Sequence, residues 1–327
     1  MDMEILLALQ TFRDGCGKFL PECMSRITYL GDLNVVLILM ALIYWCVHKE
    51  IGVYLMMGWS GNRLANGLMK VTVCAYRPWI KDARIIPYGN ATAEATGYSF
   101  PSGHTMNAVT VYGGAAMRGE IKRPWRIVLW ALVALVGFSR LFLGVHTPQD
   151  VLAGALAGAL VMALTCALMR RIAAHPEMDL TVVCVGIALA AAIAVYAALK
   201  PYPEDYNAEG KLIVDGTKMA NDTFKGVGWC AAFLTGWLLE RRFVGFSTKV
   251  PLSVRLLRAV IGLGVYLAMT NLLLPLIKTA VPGPAGTVLS CFLQMFYVAF
   301  LFPWAANTAE KRFFPDEKGT GAQKCGA

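Results

Sequence analysis

The stretch VLAGALAGALVMALTCALM, residues 151–169, contains no charged side chain. A helix needs about 20 mostly apolar residues to cross a bilayer, so this stretch and the turn before it predict a membrane span at 148–169. Similar segments on both sides predict an all-α, polytopic transmembrane helix bundle of about nine spans. The other predicted spans are 29–47, 51–76, 102–118, 126–144, 179–199, 225–240, 255–277 and 285–305.

The composition supports lipid as the solvent for much of the chain. Hydrophobic residues make up 57% and charged residues only 16%, whereas soluble domains have about 25% charged residues. The net charge of +9 raises the possibility of nucleic-acid binding. We exclude nucleic acid as a partner because the basic residues lie between apolar spans and form no stripe with interleaved aromatic residues.

The loops also predict an orientation in the membrane. Nine spans place the two termini on opposite sides, and the loops on the C-terminal side are richer in Lys and Arg. Positive loops stay inside, so we expect a cytoplasmic C-terminus and an N-terminus that faces outward, to a periplasm, an exterior or a lumen. Residues 1–28 mix apolar and charged residues, which predicts an interfacial amphipathic helix.

Three polar segments interrupt this apolar pattern, and the predicted topology brings all three to the outward side. They read KVTVCAYRP at 70–78, YSFPSGHTMN at 98–107 and SRLFLGVHTPQD at 139–150. The second span also contains Arg63. A charged side chain inside a membrane faces an aqueous site or the interior of the bundle, so Arg63 either serves such a site or pairs with a buried acid and holds helices together.

Each segment suits the binding of an anion. Lys70 and Arg77 are two helical turns apart and share one face, where two cations can hold several oxygens of an anion. Alternatively, a pair of this kind extends its charged groups to the membrane–water interface and binds no ligand. Ser102 is a natural N-cap that leaves backbone N–H groups free, and Gly103 permits close approach by a ligand. An ordinary cap followed by an incidental His104 is the plain alternative.

The third segment combines a histidine with an acid four residues later. If Thr147 caps the next helix and Pro148 takes its first position, Asp150 lies in the first turn. There it either complements the helix dipole or accepts a hydrogen bond from Nδ1 of His146. The second arrangement would fix the tautomer and leave Nε2 as a nucleophile.

Together the segments form the pattern Lys-x6-Arg-Pro, Pro-Ser-Gly-His and Ser-Arg-x5-His-x3-Asp, which resembles the type 2 phosphatidic acid phosphatase family. That family is related to vanadium haloperoxidases and to glucose-6-phosphatase. The resemblance implies that His146 attacks phosphorus to form a phosphohistidine, that His104 protonates the leaving oxygen, and that Asp150 orients His146. It assigns the binding of the phosphoryl oxygens to Lys70, Arg77, Ser102, Gly103 and Arg140.

We therefore expect a membrane phosphatase that acts on a phosphate monoester or diphosphate of a lipid, without metal or other cofactor. Its partners would be the lipid phosphate substrate and membrane lipids. Alternatives are a sugar phosphatase like glucose-6-phosphatase, a lipid phosphotransferase, and a transporter of phosphorylated substrates. The chain would divide into an interfacial helix at 1–28, a catalytic core at 29–170, additional transmembrane helices at 171–306 and a polar cytoplasmic tail at 307–327.

Overall fold

The computed structural model describes residues 2–93, 95–118, 120–207 and 209–313. The regular secondary structure of this part of the chain is helical and includes no β-strand, with one isolated β-bridge between Tyr206 and Leu212. The predicted all-α class is confirmed. The helices are α1 Asp2–Gly15, α2 Phe19–Thr28, α3 Leu33–Leu42, α4 Lys49–Val73, α5 Pro78–Lys81, α6 Gly103–Ala108, α7 Gly114–Ala116, α8 Arg123–Phe142, α9 Pro148–Ala174, α10 Asp179–Leu199, α11 Gly216–Leu239, α12 Leu252–Ala268, α13 Leu274–Ala280, α14 Pro284–Phe296 and α15 Phe302–Phe313.

Helix α9 shows why these sequences form a membrane bundle. One face is a stripe of exposed leucines at every fourth position, namely Leu152, Leu156, Leu160 and Leu164. The opposite face is buried and consists largely of small or flexible residues, namely Gly154, Gly158, Met162 and Thr165. An exposed apolar stripe of this length is solvated by lipid rather than by water. Helix α9 therefore faces the bilayer on one side and packs against neighbouring helices on the other.

The buried face of α9 fixes the start of α6. A Cβ atom added to Gly154 would lie 2.8 Å from the backbone oxygen of Ser102. One added to Gly158 would lie 3.1 Å from the side chain of Val109. The two glycines therefore let α6 pack directly on α9, which sets the position of the PSGH segment.

The centre of the bundle is formed by the more polar helices. Helix α11 packs against α4, α10 and α14, and α4 also contacts α9. Most of α4 is buried, including Asn62, Arg63, Asn66 and Lys70. Lipid would not solvate these groups, so the apolar helices surround α4 and shield it.

The structure does not confirm the predicted count of nine spans. Among the described residues, five helical segments are long and apolar enough to cross a membrane: Arg123–Phe142, Pro148–Ala174, Pro176–Leu199, Leu252–Ala280 and Pro284–Arg312. A sixth is formed if Phe19–Gly31 and Leu33–Val47, which meet at an angle of 52°, count as one span. The three remaining predicted spans fall on α4 and α11, which carry charged side chains, and on the short, interrupted pair α6 and α7.

The N-terminal segment folds as two helices, α1 and α2, rather than one. Arg13 of α1 donates hydrogen bonds to the backbone oxygens of Ile86 (2.9 Å) and Phe142 (3.4 Å). These bonds fix α1 against the loops on the side of the polar segments. The predicted tail at 307–327 begins within α15, and its residues 314–327 lie outside the described part of the chain.

Candidate active site

The three polar segments meet around one cavity of about 570 Å³. The predicted site residues that line it are Lys70, Arg77, Gly103, His104, Arg140 and His146. Ser102 and Asp150 lie behind this lining, where they hold the residues that reach the cavity. The fold thus brings together helices α4, α6, α8 and α9 at the ends where the segments occur.

The connection between α8 and α9 orients His146. Thr147 caps α9 through its hydroxyl, which accepts a hydrogen bond from the backbone N–H of Asp150 (3.3 Å), and Pro148 takes the first position, as predicted. In return, Oδ2 of Asp150 accepts a hydrogen bond from the Thr147 N–H (2.8 Å). The same oxygen lies 3.3 Å from Nδ1 of His146 and accepts a hydrogen bond from the Ser99 hydroxyl (2.6 Å).

Arg77 holds the other nitrogen of the His146 ring. Nη1 of Arg77 lies 2.9 Å from Nε2, while its Nε and Nη2 donate to the backbone oxygens of Gly97 (3.1 Å) and Thr96 (2.9 Å). Because arginine only donates, Nε2 accepts and the ring proton lies on Nδ1, where it faces Asp150. Burial and then the charge of Arg77 hold the pKa of His146 well below its usual value, which keeps the ring neutral.

Lys70 lies in an ion-pair network with α11. Its Nζ donates to the backbone oxygen of Thr96 (3.2 Å) and lies 3.4 Å from Oδ2 of Asp222. Oδ1 of Asp222 accepts a hydrogen bond from Lys225 (2.9 Å), and the Thr96 hydroxyl also donates to this carboxylate. One buried acid therefore lies between two lysines from different helices and orients both.

Helix α6 begins beside the cavity. The Ser102 hydroxyl caps it by accepting hydrogen bonds from the Thr105 N–H (3.4 Å) and hydroxyl (2.9 Å), and the Ser102 N–H donates to the backbone oxygen of Asp150 (2.9 Å). The predicted cap is confirmed. Ser102 turns its hydroxyl toward the helix, whereas Gly103 and His104 line the cavity.

Arg140 connects the site to the N-terminal segment. Its side chain is fully buried, and its Nη1 donates a hydrogen bond to the Thr28 hydroxyl at the end of α2 (2.7 Å). A guanidinium held in this way is positioned before any ligand arrives, which reduces the entropy lost on binding.

Comparison with known proteins places the chain in a family. Residues 35–173 match the PAP2 superfamily, and residues 224–310 match the transmembrane extension of the PAP2 superfamily phosphatases. Phosphatidylglycerophosphatase B of Bacillus subtilis is 31% identical over 148 residues, which cover 42% of this chain and 68% of that protein. The chain belongs to the PAP2 superfamily. The predicted family and the enzyme class, an integral membrane phosphatase, are thereby confirmed.

Two further PAP2 relatives match over smaller shares of their length. A probable sphingosine-1-phosphate phosphatase of Dictyostelium discoideum is 27% identical, over 50% of this chain and 42% of that protein. An undecaprenyl-diphosphatase of Sulfolobus acidocaldarius is 39% identical, over 21% of this chain and 33% of that protein. A crystal structure of a PAP2-type phosphatidylglycerolphosphate phosphatase from Bacillus subtilis has a TM-score of 0.44 and 29% identity, covering 52% of this chain and 85% of that one.

The PAP2 match at 35–173 contains all the predicted site residues, but the structure adds others that the sequence pattern did not single out. Ser99 was missed although it precedes the PSGH segment, since a serine in a polar loop carries little signal. Asp222 belongs to none of the three motif segments. Its position on α11, opposite Lys70, appears only when the helices are packed together.

Proposed function

We propose that this PAP2 phosphatase hydrolyses a phosphate monoester or diphosphate of a lipid through a phosphohistidine formed at His146. One observation carries the proposal: neutral His146 is held between Asp150 and Arg77, with Nδ1 3.3 Å from the carboxylate and Nε2 2.9 Å from the guanidinium. This is the geometry of an oriented nucleophile next to a cation that can take up a phosphoryl oxygen.

The first step exchanges partners at Nε2. A phosphoryl group that enters the cavity takes over the hydrogen bond from Arg77, which frees the lone pair of Nε2 to attack phosphorus. The bond between phosphorus and the leaving oxygen breaks, and His104 donates a proton to that oxygen. The charge on the equatorial oxygens is stabilised by Lys70, Arg77 and Arg140.

The second step releases phosphate. Water attacks the phosphorus of the phosphohistidine, His104 takes the proton from that water, and the bond between phosphorus and Nε2 breaks. Asp150 stabilises the positive charge that the His146 ring carries while it is phosphorylated. Three fixed cations provide the charge stabilisation that other phosphoryl-transfer enzymes obtain from a metal ion, so we propose a metal-independent reaction.

Two considerations support a lipid substrate. The relatives are named for phosphatidylglycerophosphate, sphingosine-1-phosphate and undecaprenyl diphosphate, each a phosphate group on an apolar tail. The cavity also has an apolar part formed by Leu33, Leu274 and Pro275, beside its charged residues. A lipid whose tail remains in the bilayer can present its phosphate to such a site.

We also propose that the site opens outward, with the N-terminus on the same side and the C-terminus in the cytoplasm, as the loop charges predict. This orientation requires that α4, α11 and the pair α6 and α7 also cross the membrane. The domain organisation follows: an interfacial segment at 1–28, a catalytic core at 29–170, additional transmembrane helices at 171–306 and a cytoplasmic tail. Sealed right-side-out vesicles that hydrolyse externally added substrate would support this orientation. Activity that appears only after the vesicles are opened would contradict it.

The decisive experiment measures phosphate release by the purified chain in detergent with EDTA. The panel contains phosphatidic acid, phosphatidylglycerophosphate, a sphingoid-base phosphate, a polyprenyl diphosphate and glucose-6-phosphate. We expect release from a lipid, and a loss on the order of 10⁴-fold or more in His146→Ala. His175→Ala is the matched control, because His175 is exposed and lies at the other end of α9.

The other outcomes identify the alternatives. Release from glucose-6-phosphate alone would indicate a sugar phosphatase, and transfer of labelled phosphate to a second lipid would indicate a phosphotransferase. Absence of turnover, combined with uptake of a phosphorylated substrate into vesicles, would indicate a transporter. Release that survives His146→Ala would refute the phosphohistidine.

A further inference from the structure

The cavity carries more positive charge than one phosphate needs. Its cationic residues are Arg63, Lys70, Arg77, Arg140, Lys225 and Lys278, and its carboxylates are Asp32 and Asp222. The proposed mechanism uses the three that belong to the sequence motifs. The remaining three lie in no motif, and two of them, on α11 and α13, come from the transmembrane extension.

Arg63 is the most unusual of the three. It lies two helical turns before Lys70 on the same face of α4, and only 5% of it is exposed. Within the described part of the chain it has no hydrogen-bond or ion-pair partner, and its Nε is buried and unsatisfied. The buried acid whose charge acts on Arg63 is Asp222, but among the described residues the two side chains form no direct ion pair.

The position of Arg63 points to a ligand in the cavity. Its guanidinium lies over the ring of Trp229, 5.6 Å from the centroid. Its Nη1 is 3.6 Å from the place where a Cβ atom of Gly103 would be. Arg63 thus borders the proposed phosphoryl site on one side and the extension helix α11 on the other.

Lys225 and Lys278 extend this positive region away from the motif residues. Asp222 balances the charge of only one of its two lysine neighbours, since Lys70 and Lys225 flank the same carboxylate. Lys278 is exposed near the end of α13 and makes no ion pair within the described residues. Asp32, the other acid of the cavity, is occupied as the N-cap of α3.

A buried guanidinium that has no hydrogen-bonded counter-ion costs several kcal/mol of folding free energy, and an anion bound in the cavity would offset that cost. Because Lys70, Arg77 and Arg140 suffice for one phosphoryl group, the remaining cations suit a second anionic group. We propose that Arg63 and Lys225, with Lys278 at the mouth, form a second anion subsite for a second phosphate-type group on the substrate. This inference rests on the proposed function and narrows its substrate class.

Two substrate types carry such a group. In a diphosphate, the second phosphoryl group is attached directly to the first. In phosphatidylglycerophosphate, a phosphodiester is separated from the terminal phosphate by the glycerol. Both present the same chemistry to the subsite at different spacings, so paired substrates can distinguish them.

The test measures kcat/KM for matched pairs with the full-length protein in lipid nanodiscs. One pair is farnesyl diphosphate and farnesyl phosphate, and the other is phosphatidylglycerophosphate and phosphatidic acid. We expect Arg63→Met and Lys225→Met to reduce the preference for the substrate with two phosphate groups by ~10-fold or more, because these charges are largely buried. Lys278→Met should reduce it only by ~2–5-fold, because its charge is screened.

Lys218→Met is the matched control, since Lys218 lies on the same helix as Lys225 but outside the cavity lining, with its side chain 82% exposed. If the preference in kcat/KM is lost only for the farnesyl pair, the subsite binds the second phosphate of a diphosphate. If it is lost only for the other pair, the subsite binds a phosphodiester. A fall in kcat/KM that is equal for both members of both pairs would refute the subsite. No selectivity change in any variant would do the same.

A binding measurement separates failure of the subsite from failure of the proposed function. In the His146→Ala background, the Kd of farnesyl diphosphate should be lower than that of farnesyl phosphate, and Lys225→Met should remove the difference. Preferential binding without hydrolysis by the unmodified chain would retain the subsite and refute the phosphatase mechanism. Equal affinities would refute the subsite even if the chain hydrolyses both lipids.

Discussion

Asp150→Asn tests whether the carboxylate acts on catalysis or only on the fold. Oδ2 of Asp150 receives hydrogen bonds from the Ser99 hydroxyl (2.6 Å) and the Thr147 N–H (2.8 Å), and lies 3.3 Å from His146 Nδ1. An asparagine that places its oxygen at this point retains all three contacts and the cap of α9. It removes only the negative charge that faces the ring.

The expected loss follows from that charge. A hydrogen bond to a charged group contributes about 1.5–3 kcal/mol, and about 1.4 kcal/mol corresponds to a tenfold change in rate. The phosphorylated His146 ring is positively charged, so we expect the rate of phosphoenzyme formation to fall by ~10- to 150-fold. If the amide instead turns its NH₂ toward the ring and inverts the tautomer, the loss would approach ~10⁴-fold, as in Ser-His-Asp triads.

The assay is rapid-quench measurement of phosphohistidine under single-turnover conditions, with thermal unfolding as the check on folding. Ser99→Ala is the comparison variant, because it removes one hydrogen bond to Asp150 and leaves the charge. We expect it to slow phosphoenzyme formation only ~3–10-fold. An Asp150→Asn enzyme that folds normally and forms phosphohistidine within threefold of the unmodified rate would refute the orienting role.

Three further predictions concern packing, pH and charge. Gly154→Ala places a Cβ atom 2.8 Å from the backbone oxygen of Ser102, and this oxygen cannot move without displacing α6. We therefore expect kcat to fall by ~10-fold or more, while a thermal-unfolding assay shows that the protein still folds. The pKa of His146 is lowered in the folded state, so the unfolded chain binds a proton at a higher pH than the folded chain does. The stability due to neutral His146 is therefore present above about pH 6.5 and is lost as the pH falls toward the folded-state pKa. In thermal unfolding between pH 7 and pH 5, His146→Asn should lose less stability than the unmodified chain. Asp222→Asn leaves the Lys70 charge buried without its carboxylate, so unfolding free energy should fall by ~3–5 kcal/mol; an unchanged melting temperature would show that the ion pair does not stabilise the fold.

The lining of the cavity includes residues of the transmembrane extension as well as those of the motif segments. The motif segments provide the proposed nucleophile and three cations. Within the extension, residues 224–310, helix α11 adds Lys225 and Trp229 to the same cavity, and α14 adds Gln294. The extension thus contributes directly to the walls of the site.

Some features of this protein were determined by the sequence alone. Uncharged runs the length of a bilayer predicted a helical membrane protein, and the resemblance of the three motif segments to a known family gave the candidate site, whose residue roles stay a prediction. The caps by Ser102 and Thr147 were also predictable, because a cap involves residues only three positions apart. All of these features depend on near neighbours in the chain or on hydropathy.

Other features were decided only by tertiary packing. The count of nine spans was not confirmed, because hydropathy does not show which helices form the polar centre and which face lipid. Lys70 and Asp222 are 152 residues apart, and nothing in either local sequence indicates that they meet. Whether a buried charge such as that of Arg63 is paired or available to a ligand depends on the helices packed around it, which is why the proposed second anion subsite emerged from the structure and not from the motifs.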